Sequence, residues 1–152
     1  MAYNSLQNAK TRLIELEEMT HSPVFAMSKR IVEYLEEQDK QDRLTIGGLR
    51  AALSTSRSDD NVLIEAAFTL TFYPFEVLDV QYRLYDDTLT EMIEIIDKHE
   101  YARALSDGEF YFEGELIDAD NFHSRVFPVF INQSVNTVDL EAVPTGGVAT
   151  GI

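Results

Sequence analysis

The chain has 152 residues, a formal net charge of −15 and no cysteine. It is long enough to bury a core, while a disulfide framework and a thiolate metal site are excluded. The charge is unevenly placed: residues 1–58 hold eight basic and eight acidic side chains, whereas residues 59–152 hold four and nineteen, with thirteen of the sixteen Phe and Tyr residues. That is the composition of an ordered acidic body, which repels nucleic acid and anionic membrane and attracts basic partners.

Asn4 followed by Gln7 suits a helix cap, and Leu6, Ala9, Leu13 and Leu16 recur at three- and four-residue spacing. Residues 1–20 are therefore expected to form a helix that docks by one seam through Leu6, Leu13 and Leu16. Its partner is the rest of the domain or a second copy in a homo-oligomer. Ser22 and Pro23 fit the cap and first position of a second helix with Val24, Met27, Ile31 and Leu35 on one face. Residues 44–46 suit a very short strand, 48–54 a short helix and 55–58 a turn. Asp59 or Asp60 then caps a fourth helix through Val62, Leu63, Ala66, Ala67 and Leu70.

After Pro74 the period changes to two. Leu78, Val80, Tyr82 and Leu84 share one strand face, with Asp79, Gln81, Arg83 and Tyr85 on the other. Thr88 and Glu91 match a capping box, and Leu89, Met92, Ile93 and Ile96 predict a fifth helix over 88–96, which residues 101–105 either continue or follow as a separate turn. Residues 109–117 alternate again, with Phe110, Phe112 and Leu116 facing the core and Glu109, Tyr111, Glu113 and Glu115 facing out. A turn at 118–121 leads to a return strand over 122–131, in which Pro128 requires an edge or a bulge. Residues 135–143 suit a last strand and 144–152 a flexible tail.

The expected fold is α+β in a single domain over 1–143. It comprises a docking helix at 1–20, a middle module at 23–85, and a helix with an antiparallel hairpin or small sheet at 86–143. The order helix, short strand, short helix, turn, helix, long strand over 23–85 resembles a winged helix. The resemblance implies that the helix over 60–71 holds the position that enters the major groove in DNA-binding relatives. Here that helix starts Asp59-Asp60-Asn61, carries Glu65 and has no Lys or Arg. Phosphate neutralisation supplies non-specific DNA affinity, so nucleic acid is not expected to bind directly. The resemblance then implies protein interaction, a role many winged helices serve.

Candidate chemistry is sparse. Asp118, Asp120 and His123 offer oxygen and nitrogen donors close in sequence, but the glycine and terminal glutamate of an EF-hand loop are missing, and no metal or other cofactor is expected. His99 and Glu100, with Glu91 and Asp97, read as a solvated helix face. Glu113 and Glu115 on one strand face would be roughly 6.6–6.8 Å apart, a spacing found in glycosidases, but catalytic pairs flank a cleft. There is no P-loop, HExxH or GxSxG pattern.

Glu109, Tyr111, Glu113, Glu115, Asp118 and Asp120 form the densest acidic patch and are the candidate partner-binding residues. Asp86, Asp87, Glu91 and Glu94 form a second one. The N-terminus has no basic and apolar leader pattern, and the most apolar stretch, 62–73, is interrupted by Glu65 and two threonines, so a cytoplasmic, non-membrane protein is expected. The expected function is that of a non-enzymatic interaction subunit or adaptor with a protein partner of basic surface. The alternative is an acidic mimic that occupies the nucleic-acid site of a basic protein. A DNA-binding regulator is a third reading, and a metal-dependent hydrolase a fourth.

Overall fold

The structure, a computed structural model, describes residues 2–38 and 40–134. The strand expected at 135–143 and the tail expected at 144–152 lie outside the described residues. The fold is α+β, with helices leading and antiparallel strands following. The chain divides into two compact units: the first runs up to Asp79 and resumes at Phe130, and the second is Val80–Val129. The first boundary falls between Asp79 and Val80, inside a strand.

In the first unit, α1 (Ala2–Thr20) packs along α2 (Pro23–Glu37). Leu6, Ala9 and Leu13 are buried and Leu16 is half-buried, so the apolar stripe of α1 has its partner within the same chain. Lys10 Nζ and Gln7 Nε2 both reach the Glu36 carboxylate, at 3.1 and 2.9 Å, and fix the register of the two helices. Ser22 caps α2 through Val24 N, with Pro23 at the first position where its missing N–H costs nothing. Ser28 is fully buried and donates to Ala66 O at 3.1 Å, so a small side chain lets α2 approach α4 (Asp60–Thr69) closely.

Between them lie β1 (Arg43–Leu44), α3 (Ile46–Ala52) capped by Thr45, and a single 3-10 turn at Arg57–Asp59. With β2 (Leu78–Tyr85), this reproduces the element order expected over 23–85. The strand pairing does not close inside that range. β1 pairs with β6 (Val126–Asn132), placing Arg43 opposite Ile131 and Leu44 opposite Phe130, and the sheet order is β1-β6-β2-β3. Phe130 is fully buried, edge-on to Phe68 of α4 at 5.0 Å, and completes a core that includes Leu13, Ile31, Leu35, Leu49, Leu63 and Leu70. β6 is thus internal to the sheet. Pro128 is tolerated because β1 covers only Phe130 and Ile131.

In the second unit, β3 (Met92–Asp97) pairs antiparallel with β2, with a bulge opposite Leu84 and Tyr85. The helix expected over 88–96 does not form. Asp86 takes Thr88 and Thr90 into a turn, Leu89 adopts φ 60°, and the β-branched residues Ile93, Ile95 and Ile96 extend as a strand. The helix comes later, as α5 (Lys98–Asp107). Asp97 and Glu100 form its capping box, and Gly108 ends it at φ 81°.

β4 (Glu109–Phe112) and β5 (Glu115–Asp118) form a two-stranded hairpin. It turns at Glu113 and Gly114, both with positive φ, as a tight two-residue turn requires. The expected long strand over 109–117 is therefore two short ones. The turn expected at 118–121 is instead the start of α6 (Ala119–Ser124), capped by Asp118. The core of this unit gathers Leu84, Ile96, Ala104, Ile117, Phe122 and Val126. Its aromatic rings form a stack: Tyr82 on Tyr101 at 4.0 Å, Tyr101 by Phe122 at 5.7 Å, and Phe122 on Phe110 at 4.6 Å.

Candidate interaction surface

The hairpin register decides which side chains face out. Opposed residues share a face, so Glu109 lies with Asp118 and Tyr111 with Leu116, while Phe110 and Ile117 turn into the core. Tyr111 is 65% exposed and Leu116 51% exposed, directly across from each other. The two-residue turn shifts the parity of everything after it. Leu116, expected in the core, is on the outer face, and buried Ile117 takes its place. For the same reason Glu113 and Glu115 are not neighbours on one strand face: Glu113 occupies the turn and Glu115 opens β5 opposite Phe112.

The acidic residues divide by role. The Asp118 carboxylate accepts from Asn121 N and Asn121 Nδ2, both at 3.0 Å, and Asp120 stands exposed in the first turn of α6, where the helix dipole favours an anion. His123 Nδ1 shares a hydrogen bond with the Tyr101 hydroxyl at 2.6 Å. Asp118 and His123 are thus engaged in local structure. Among the described residues no three His, Asp or Glu side chains gather in a group that could hold a metal ion. His99 and Glu100 belong to the first turn of α5, where Glu100 completes the capping box with Asp97.

Beside the hairpin turn, a cleft of about 300 Å³ is lined by Asp86, Asp87, Glu113 and Glu115 around Arg125, with Phe112 and Ile93 as its apolar wall. Hydrogen bonds hold the Asp86 carboxyl down to about 2, first from Thr90 N and then from the Thr90 and Thr88 hydroxyls. Arg125 is turned toward the backbone, its Nε donating to Tyr85 O at 2.9 Å. In the aromatic stack, burial together with neighbouring Tyr101 pushes the Tyr82 hydroxyl up to about 12, and burial raises Tyr101 too. Both stay neutral and serve as packing.

The helix α4 has its acidic entry neutralised from within. Arg50 donates from Nε and Nη2 to the two oxygens of Asp60 at 2.9 and 2.7 Å. This hydrogen-bonded pair lowers the Asp60 carboxyl and raises the Arg50 guanidinium. One of the arginines closest to the recognition position is therefore engaged by protein.

A second exposed surface of the same unit escaped the sequence reading. On the outer side of β2 and β3, Arg83 lies opposite Ile95 and Tyr85 opposite Met92, and the Phe127 ring meets Tyr85 edge-on at 5.6 Å. Ile95 is 52% exposed, and Met92 and Phe127 are each 45% exposed. The available signal was the run of apolar residues on both faces of 122–131. It was hidden at Met92 and Ile95 by their assignment to a helix.

No family model matches the chain, and neither does any curated protein or solved structure. Among the described residues no helix is long and apolar enough to cross a membrane.

Proposed function

We propose that this chain is a non-enzymatic, cytoplasmic interaction subunit whose β4–β5 hairpin binds a protein partner with a basic, partly apolar surface. The observation that carries this reading is the opposed, exposed pair Tyr111 and Leu116, bracketed on the same face by Glu109 and Asp118. An apolar centre with a charged rim is how protein interfaces are built, and tyrosine is among the side chains that dominate their energetics. The carboxylates of the adjoining cleft extend the negative field toward the turn and steer a basic partner to the hairpin. The absence of Lys and Arg from α4, and the engagement of Arg50 by Asp60, support a protein rather than a nucleic-acid partner.

The test is affinity capture from the native host with wild type, with Tyr111→Ser plus Leu116→Ser, and with Glu109→Lys plus Glu115→Lys. A basic protein retained by wild type and lost from both variants is the expected outcome. Recovery of the same proteins by all three would overturn the reading.

A further inference from the structure

We infer that the outer face of β2 and β3, together with Phe127 of β6, is covered by a second copy of this chain. The face is built by register. Tyr82, Leu84, Ile96 and Val126 point to the core side of these strands, so Arg83, Tyr85, Met92, Ile95 and Phe127 are left on the other. A sheet with one solvated face ordinarily alternates apolar and polar residues, whereas strands that are apolar on both sides are covered on both sides. Here Gln81 and Arg83 share the outer side with an aromatic pair in edge contact and two aliphatic side chains about half exposed, which leaves the Tyr85 end of the face apolar.

The charge on this face selects the occupant. A basic partner suits the hairpin, but on this sheet face it would meet Arg83 among the apolar side chains. The same face also carries an acid, Asp97, opposite Gln81 and one register step beyond the Arg83–Ile95 pair; its Oδ1 accepts from Glu100 N to cap α5, so it is Oδ2 that meets a partner. A two-fold axis can place Arg83 of each copy near Asp97 of the other while the apolar residues meet, as a self-complementary patch requires. The stripe on α1 is already taken, because Leu6 and Leu13 are buried in the contact of α1 with α2. Each copy carries −15, so the copies repel over a Debye length, and their association strengthens as salt screens that charge. Binding of a basic partner at the hairpin has the opposite salt dependence, which separates the two surfaces.

Sedimentation equilibrium of the full chain, from ~0.05 M to ~0.5 M salt, should show a dimer whose dissociation constant falls as salt rises. Ile95→Lys and Met92→Lys each alter an exposed side chain. Each should raise that constant about tenfold or more, roughly 1.4 kcal/mol, with an unchanged circular dichroism spectrum. Tyr111→Ser plus Leu116→Ser should leave it unaltered. In wild type, amide exchange in 83–85 and 92–96 should slow as protein concentration rises, a readout that needs no variant. A monomer at every salt, a dimer indifferent to both lysines, a dimer that tightens as salt falls, or protection confined to other segments would each overturn the inference.

Discussion

Arg50 and Asp60 form a two-pronged ion pair that ties the last turn of α3 to the first turn of α4, with donor–acceptor distances of 2.9 and 2.7 Å. Planar bidentate geometry of this kind belongs to arginine, and a lysine cannot reproduce it. Arg50→Lys and Asp60→Asn should each lower the melting temperature. The double variant should cost less than the sum of the two, because the second change removes nothing further once the pair is broken. Thermal melts of the four proteins check this, and strict additivity would contradict it.

Duplex DNA should not be retained at physiological salt. The helix over 60–69 has no basic side chain, and the unit that follows is acidic. In an electrophoretic shift at micromolar protein, free DNA should persist. Retardation that weakens steeply with salt would show that the protein contacts phosphate.

Asp86 predicts an acid-sensitive turn. Its folded value, about 2, is below the ordinary 3.8, so its hydrogen bonds stabilise the fold fully above about 3.8, and that contribution is lost as pH falls from there through about 2. Asp86→Ala should therefore melt below wild type at neutral pH, with the gap closing across that window. A gap that stays constant down to pH ~2 would mean the carboxylate is not the organising group.

Phe122 is fully buried between Phe110 and Tyr101, and Leu13 is fully buried on the face of α1 that packs along α2. Phe122→Ala should cost about 3–5 kcal/mol and Leu13→Ala about 2–5 kcal/mol in denaturant unfolding. Amide exchange should separate them, with Phe122→Ala loosening chiefly 80–129 and Leu13→Ala chiefly the helices before Asp79. Equal loosening everywhere from either change would mean the two units unfold as one.

The hairpin turn places a glutamate at φ 49° and a glycine at φ 84°. Asparagine accepts that left-handed conformation far better than glutamate, so Glu113→Asn should stabilise by roughly 0.5–1 kcal/mol. Gly114→Ala should destabilise by a similar or larger amount. Urea melts report both signs, and a neutral Gly114→Ala would argue against the tight turn.

The helices of the first unit were legible chiefly from apolar spacing, and the start of α2 from its cap, while the cap expected at Asn4 falls inside α1. Ser22-Pro23 opens α2 and the apolar spacing of α1 matches its buried face, whereas Thr45, expected in a strand over 44–46, caps α3 and starts it two residues before the expected 48–54. The segment 88–96 misled because its residues satisfy two patterns at once. Thr88 and Glu91 look like a capping box, and Leu89, Met92, Ile93 and Ile96 fall at helical spacing. Asp86 outcompetes the cap by binding both threonines, a contact that no periodicity reports.

The hairpin was placed correctly at its start and wrongly at its turn. Glu113-Gly114 is a weaker written signal than Asn-Gly, and a turn two residues long reverses the inside and outside assignment of everything beyond it. Tyr111, ahead of the turn, was therefore read as outward and Leu116, after it, as inward. The pairing of β1 with β6 joins residues nearly ninety positions apart, and nothing local in either segment names the other.

Tyr85 N donates to Arg125 O at 2.8 Å, and Arg125 Nε returns a bond to Tyr85 O at 2.9 Å. The 86–125 excursion therefore leaves β2 and re-enters β6 through a pinned doorway, and β3 within it returns to pair along β2. The entropy of closing such an excursion grows only logarithmically with its length, so residues added at its exposed hairpin turn cost little, whereas β3, which pairs along β2, and Ile96, Ala104, Ile117 and Phe122, which fill the core, are held to their sequence. Both exposed surfaces, the Tyr111 hairpin and most of the Ile95 face, lie on this excursion or at its ends, so their outward side chains can change while the buried ones keep the unit folded.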